Sequence, residues 1–358
     1  MIEQLQYATT SRYNFPRPLE DLHLPQKFIE LSIDSMKSVK GGSFQPYGMD
    51  FPSLLDKRED DVPTPINGKA FTAQLTPLTP ISDDTPVIAI DVSSIRIGET
   101  ETGVLCAVRG AIVWNKRRTY RHLRMGPFPF HISEENRNVI IEFLDQNHLS
   151  TTSSSSLIDI QIRLFNIMER WIQMLVCNSS SNSIILWDGS LAAGMSNNPL
   201  IVISNLLRTA RQRSNSVLAF SKVSKLRFLG RKITSLIWNY PPPWLFEVNE
   251  EHHSPIQHCL GSTYIARFRR NGYSFRLDID RKIPSGERVE AAQKLLGNDL
   301  TYQSYPESLR LAHIYSTFTA SEVIGIQRCI AQRFRLRVMA QSNVRKMLFG
   351  PYGTRSDN

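Results

Sequence analysis

Two segments of this chain drive an apolar run straight into a carboxylate. In "PVIAIDVSS" the residues Val87–Ile90 lead to Asp91, and in "SIILWDGSLAAG" the residues Ile184–Trp187 lead to Asp188. A short, continuous apolar run reads as a strand covered on both faces. An acid at the end of such a strand sits at the carboxyl edge of a sheet, where ligands bind. Strand-end aspartates also serve as turn formers, so each motif alone has a second reading. If the two strands are parallel neighbours, the carboxylates lie side by side and repel unless a cation joins them. Hard divalent cations with oxygen ligands meet that need. Glu169, in the segment "SLIDIQIRLFNIMERWIQMLVCN" between the two strands, can complete an acidic set. Such a set suits phosphodiester hydrolysis with two metals held about 4 Å apart.

The order of elements predicts an α/β protein with a mixed sheet flanked by helices. A helix is expected around Leu24 to Val39 and a short one near Phe51 to Lys57. Five prolines between Val62 and Pro86 make that stretch an extended connection. The first acidic strand follows. "TGVLCAVRGAIVWNKRRTYRHL" predicts two antiparallel strands turning near Gly110, and Ser133 is a candidate helix cap. The segment containing Glu169 predicts a mostly buried helix. "NPLIVISNLLRTARQRSN" predicts another helix, and "VLAFSKVSKLRFLG" a strand followed by a turn or short helix. Residues 241–258 read as an irregular insertion, Asn271-Gly272 as a hairpin turn, and "YPESLRLAHIYSTFTASEVIGIQRCIAQRF" as one long closing helix. The expected domains are an N-terminal helical and extended segment over 1–84, a core domain over 85–335 and a basic tail over 336–358.

With 358 residues and 41% hydrophobic content, the chain can bury a sizeable core. It carries 42 Lys+Arg against 33 Asp+Glu, a net charge of +9, which suits a polyanionic partner. Six basic residues and no acid lie between Thr102 and His131, and eight and no acid between Asn205 and Lys232. Arg117, Arg118, Arg208, Arg211, Arg213, Lys225 and Arg227 from these tracts are candidate phosphate-backbone contacts. The alternative for each tract is a solvated face. A third basic tract, Gln327 to Lys346, mixes in apolar residues and also reads as a partner-docking element. Four separated cysteines give no zinc or disulfide pattern and fit a reducing interior. His252, His253 and His258 lack a cysteine pair at zinc spacing. No apolar run spans a bilayer and no secretory signal opens the chain, so the expectation is a soluble, cytoplasmic protein.

Taken in order, the motifs resemble the NurA nuclease family over about Thr85 to Arg333. They are "IAIDVSS", the helix with Glu169, "LWDGSL", "LAFSKVSKLRFLG" and "YPESLRLAH". Val92 stands where the family often has glycine. The resemblance implies an RNase H-like core and a manganese- or magnesium-dependent nuclease. It implies action on DNA ends 5′ to 3′ and on single strands, in end resection for double-strand break repair and homologous recombination. It also implies a nucleoid-associated homodimer that works with a hexameric HerA-type translocase. Carried over by position, Asp91, Glu169 and Asp188 would hold metal, and His313 would be a ligand or a proton-transfer group. Tyr305 and Lys222, with Lys225 as the alternative lysine, would orient the scissile phosphate or the water. Two other classes compete. A catalytically idle scaffold of the same fold would bind DNA or the translocase without cutting. A sugar-kinase or actin-like ATPase core also begins on a strand-ending aspartate, but needs a glycine-rich phosphate loop where this chain has Val92-Ser93-Ser94-Ile95.

Overall fold

Because Val87–Ile90 and Ile184–Trp187 are apolar on both sides, each can be covered on both faces; in the computed structural model they lie side by side as parallel strands. The structure describes residues 26–39, 41–47, 75–146, 156–193, 199–222, 226–228, 231–237, 240–248 and 259–339. In chain order the elements are α1 (Gln26–Lys37), β1 (Ser43–Pro46), β2 (Leu75–Pro77), β3 (Val87–Thr100), β4 (Gly103–Lys116), β5 (Thr119–Ser133), α2 (Arg137–Gln146) and α3 (Leu157–Ser179). There follow β6 (Ile184–Asp188), α4 (Leu200–Gln212), β7 (Ser216–Ser221), β8 (Arg227–Phe228), β9 (Arg231–Lys232), α5 (Ile233–Leu236), β10 (Trp244–Glu247) and β11 (Gly261–Arg267). The chain continues through β12 (Phe275–Asp280), α6 (Ser285–Asn298), β13 (Thr301–Tyr302), β14 (Tyr305–Pro306), α7 (Glu307–Ser316), α8 (Ala320–Arg333) and β15 (Arg337–Val338).

Strand β3 is the hub of an 11-stranded mixed sheet. One of its edges pairs with β4 along almost its whole length. The other edge is shared: Val87–Ile90 pairs parallel with β6, while Gly98–Thr100 pairs antiparallel with β1. Between these two pairings the sheet forks, and Asp91 stands at the fork. The central order β5-β4-β3-β6-β7, with β4 alone antiparallel to the rest, is an RNase H-like arrangement. Beyond β7 the strands β12, β11, β10 and β2 continue the sheet antiparallel. The segment before Thr85 thus supplies β1 and β2 to the sheet, and Phe28 of α1 packs edge-on against Phe128, Phe130 and Trp171.

Strand periodicity decides which face each side chain takes. Ile88, Ile90, Val92, Ile185 and Trp187 pack beneath α3 and α4. Val87, Ala89, Ile184 and Leu186 pack against α6 and α7. Asp91 and Asp188 continue the second series, so both carboxylates emerge on the α7 side. Helix α3 starts on a capping box: the Ser156 hydroxyl accepts from the Asp159 amide, and the Asp159 carboxylate accepts from the Ser156 amide.

Four expectations are corrected. Gly110 is not a turn but the middle of β4; a Cβ there would lie 2.3 Å from Ile172 Cδ1 and 2.9 Å from Met168 Cε, so glycine lets α3 approach the sheet. The turn falls at Arg117-Arg118, both with positive φ, a pair without the usual Asn-Gly signal. Ser133 ends β5, and Asn136 lies just before α2, its side-chain oxygen accepting from the Ser133 amide. Within the expected insertion, Trp244–Glu247 is a strand of the main sheet. The long last helix is two helices, because Thr319 and Glu322 form a capping box that starts α8 anew. The expected helix at Phe51 to Lys57, Lys225, and His252, His253 and His258 lie outside the described residues. Among the described residues no helix is long and apolar enough to cross a membrane. Burial pushes the thiols of Cys106, Cys177 and Cys259 up to about 12, so they are inert core groups.

His131 ties α1 and β3 to β5. Its ring nitrogens meet Ser38 Oγ at 2.7 Å and Thr100 Oγ1 at 2.9 Å, and the residue is fully buried. Burial pushes its pKa down to about 4. The unfolded chain takes up this proton near pH 6.5, whereas the folded chain resists until about pH 4. Stability from the neutral ring is therefore present above pH 6.5 and lost as pH falls toward 4. The loss reaches roughly 3 kcal/mol at its largest. Urea unfolding of His131→Gln should show a shallower fall in stability between pH 7 and pH 4.5 than the parent. An unchanged pH slope would contradict the assignment.

Candidate active site

Asp91, Asp188 and His313 each present a ligand atom, and these atoms lie within 4.8 Å of one another. They come from the first acidic strand, the second, and the helix that crosses over both. Asp91 is buried and held by two side chains of α7. His313 Nδ1 lies 2.9 Å from Asp91 Oδ2, and the Ser316 hydroxyl donates to the same oxygen at 2.7 Å. Both donors use Oδ2, which leaves Oδ1 to face a ligand. Asp188 is more open. The Lys222 ammonium donates to its Oδ2 at 2.9 Å, and the Tyr305 hydroxyl lies 3.4 Å from its Oδ1. The hydrogen bond to Asp91 raises the His313 pKa, against a burial that opposes it. Burial, then the charges of Asp188 and Asp91, push the Tyr305 phenol well above its usual range, so it stays a donor.

Each element is fixed locally. After Asp188 the chain turns sharply: Gly189 has φ +103°, a conformation that L side chains rarely adopt. Its amide donates to Phe220 O, and its carbonyl accepts from the Ser221 hydroxyl. The Leu191 amide donates to Asp278 Oδ2, so this carboxylate pins the loop after Asp188. Asp278 in turn faces Arg276 through two 2.9 Å bonds, with both side chains fully buried. Tyr305 packs edge-on between Phe220 and Phe275. The start of α7 is held by Asp299, which accepts from the Ser308 amide and the Tyr120 hydroxyl. At its other end Arg109 donates to Thr317 O and to Glu322, which also pairs with Arg124.

Other candidates lie elsewhere. Glu169 is buried on α3, which packs on the opposite face of the sheet from α7, and it pairs with Arg170 at 3.7 Å. It does not belong to the group formed by Asp91, Asp188 and His313. Arg117 and Arg118 occupy the β4–β5 turn, where Arg117 pairs with Asp84. That turn is six residues along β4 from Ala111, the partner of Asp91, or about 20 Å. Arg208 is exposed on α4, Arg211 pairs with Asp280 at the end of β12, and Arg213 caps α4. Arg227 lies in β8. Sequence reasoning missed Ser316, Asp278 and Arg109. Ser316 had a signal, since it follows His313 by three residues on one helix face. Arg109 had none, because Thr317 and Glu322 are remote in the chain, and Asp278 sits two residues from its partner Arg276 in a strand whose burial the residues do not reveal.

No family model matches the chain, and no curated protein matches it in sequence. Solved structures do. The fold is the one seen in a solved NurA structure. The NurA nuclease from Sulfolobus solfataricus superposes with a TM-score of 0.51 at 16% identity, covering 73% of this chain and 88% of that one. Endonuclease V from Bacillus subtilis gives a TM-score of 0.34 at 11% identity over 73% and 88% of the two chains. Human endonuclease V gives 0.37 at 11% identity over 68% and 85%.

Replacing Asp278 with alanine withdraws the carboxylate from a fully buried guanidinium and frees the Leu191 amide. The expected cost is about 3–5 kcal/mol in denaturant unfolding. A loss below about 1 kcal/mol would show that the pair does not anchor the loop after Asp188.

Proposed function

We propose that this chain is a metal-dependent DNA nuclease. The observation that carries the reading is the convergence of Asp91, Asp188 and His313, with Lys222 and Tyr305 beside them. Two carboxylates and an imidazole suit Mn²⁺, and Mg²⁺ is also accommodated by the oxygen donors. When bound, the ion supplies positive charge against phosphoryl oxygens and acidifies water. Asp91 Oδ1 and Asp188 would hold it, and His313 would offer its Nε2, because Nδ1 is engaged with Asp91. Glu169, on the α3 side and paired with Arg170, stands outside this trio. The chain's own groups supply the rest. Ser316 and the His313 ring fix Asp91 so that its position does not depend on the ion. Lys222 meets Asp188 as a counter-charge and is exposed enough to turn toward a phosphate. Tyr305, kept protonated, donates a hydrogen bond at the same carboxylate.

We extend the reading to the role the family resemblance implies. The substrate is DNA, cut 5′ to 3′ from ends and within single strands, in end resection of double-strand breaks and homologous recombination. The protein acts as a homodimer in the nucleoid with a hexameric HerA-type translocase. The NurA-like fold and the net charge of +9 support this reading. Backbone contacts are assigned to Arg117, Arg118, Arg208, Arg211, Arg213, Lys225 and Arg227. Those at the β4–β5 turn and the end of α4 would meet DNA well away from the carboxylates.

The test is cleavage of a labelled single strand with Mn²⁺, with Mg²⁺ and with neither. Asp188→Asn should lower the rate about a hundredfold or more while DNA affinity is kept. A variant that cuts at the parental rate defeats the reading, and a parent that binds DNA but never cuts would be the idle scaffold.

A further inference from the structure

Two tyrosines stand in solvent on a rigid support next to this site. Tyr273 is 59% exposed and Tyr302 58% exposed. Tyr302 lies in the short hairpin β13–β14, directly opposite Tyr305, whose hydroxyl reaches Asp188. Tyr273 lies in the loop between β11 and β12, and its amide donates to Gln303 O at the tip of that hairpin. The two turns interlock. The Ser304 hydroxyl accepts from the amides of Phe268 and Arg269, and a Cβ on Gly272 would lie 2.0 Å from Ser304 Oγ. Gln303 and Ser304 hold positive φ to make the tip. These rings are therefore presented by a fixed frame.

Cations accompany them. The Arg310 guanidinium lies 5.4 Å from the Tyr302 ring centroid. Glu307 orients it by accepting from both Nε and Nη2, at 2.7 and 2.6 Å. Arg310 is one turn before His313 on the same face of α7, a rise of about 4.5 Å. Arg269 is exposed on the Tyr273 loop and donates to Thr301 Oγ1 of the hairpin, and Arg270 is exposed beside it. An exposed tyrosine gains nothing from the fold, but its face stacks on any unpaired base, and arginines beside it meet phosphate.

We propose that Tyr302 with Arg310, together with Tyr273 and Arg269, forms a stacking platform for the unpaired bases of single-stranded DNA, one helical turn from His313. The proposal rests on the nuclease reading for its orientation toward the scissile phosphate, and it names where the strand next to that phosphate lies. Duplex DNA does not offer base faces, so the platform favours a single strand.

The test is fluorescence anisotropy in EDTA, where nothing is cut, with labelled oligothymidine, an abasic strand of equal length and a duplex. The parent should bind oligothymidine about tenfold or more tightly than the abasic strand. Tyr302→Ala should remove most of that difference without changing duplex affinity, and Tyr302→Phe should keep it. Equal binding of the two single strands by the parent overturns the proposal, as does a preference that survives in Tyr302→Ala. A change in oligomeric mass on Tyr302→Ala also overturns it, since the ring would then belong to a subunit interface. Cleavage is scored separately. A parent that shows the base preference but never cuts ends the nuclease reading and leaves the platform; one that cuts without the preference does the reverse.

Discussion

The repulsion between Asp91 and Asp188 is the constraint around which the rest is arranged. Two parallel strands in register bring like charges to one edge of a sheet, on one face, where neither can turn into the core. Much of the second half of the chain answers that charge. Helix α7 lays an imidazole and a hydroxyl on Asp91, the lysine just after β7 meets Asp188, and β14 carries the phenol. The helix is anchored at both ends, by Asp299 at its start and by the Arg109–Glu322 pair at its finish. Glu322 is itself heavily committed. Burial would raise its pKa, but the Thr319 amide and the two arginines lower it to about 2, so it stays ionised at any ordinary pH.

The fork in β3 gives this arrangement its room. If β6 had paired along the whole of β3, residues beyond Asp91 would be walled in by the neighbouring strand. Instead β6 stops at Asp188 and Gly189 turns the chain away, while β1 takes up the same edge seven residues further on. The opening lies under α7 and next to the hairpin that carries Tyr302. Catalytic candidates, counter-charges and exposed aromatics thus fall along one helix, from Arg310 through His313 to Ser316.

Much of this was legible in the residues, and the parts that were not have physical reasons. The two strand-ending aspartates announced themselves because continuous apolar runs force a buried strand. Lys222, Tyr305 and His313 were reached through the order of motifs, and the structure places all three at the same spot. The turn at Arg117-Arg118 was hidden because two arginines hold the positive φ values that asparagine and glycine usually supply. Gly110 misled for the converse reason: its missing side chain serves an approaching helix rather than a bend. The break before α8 was written in the sequence as Thr319 and Glu322, but apolar periodicity ran across it. Arg109 could not be read, since Glu322 lies far along the chain, and the spacing of Arg276 and Asp278 by two residues takes its meaning only from a strand already known to be buried.

The two carboxylates are held in opposite ways, and this asymmetry bears on how such a site can work. Asp91 is buried and bonded to an imidazole and a hydroxyl on a helix clamped at both ends. Asp188 is partly open and answered by a flexible ammonium on an exposed side chain. At Asp91 both partners meet one oxygen and leave the other, whereas at Asp188 a mobile ammonium has to move aside for an incoming cation. Exposed ion pairs contribute little and exchange readily, whereas buried hydrogen bonds to a charge resist removal. Under the nuclease proposal the rigid half would fix the geometry, and the loose half would let a cation and phosphate come and go. Lys222, once released from Asp188, is left with its charge unanswered beside the place where a polyanion would arrive.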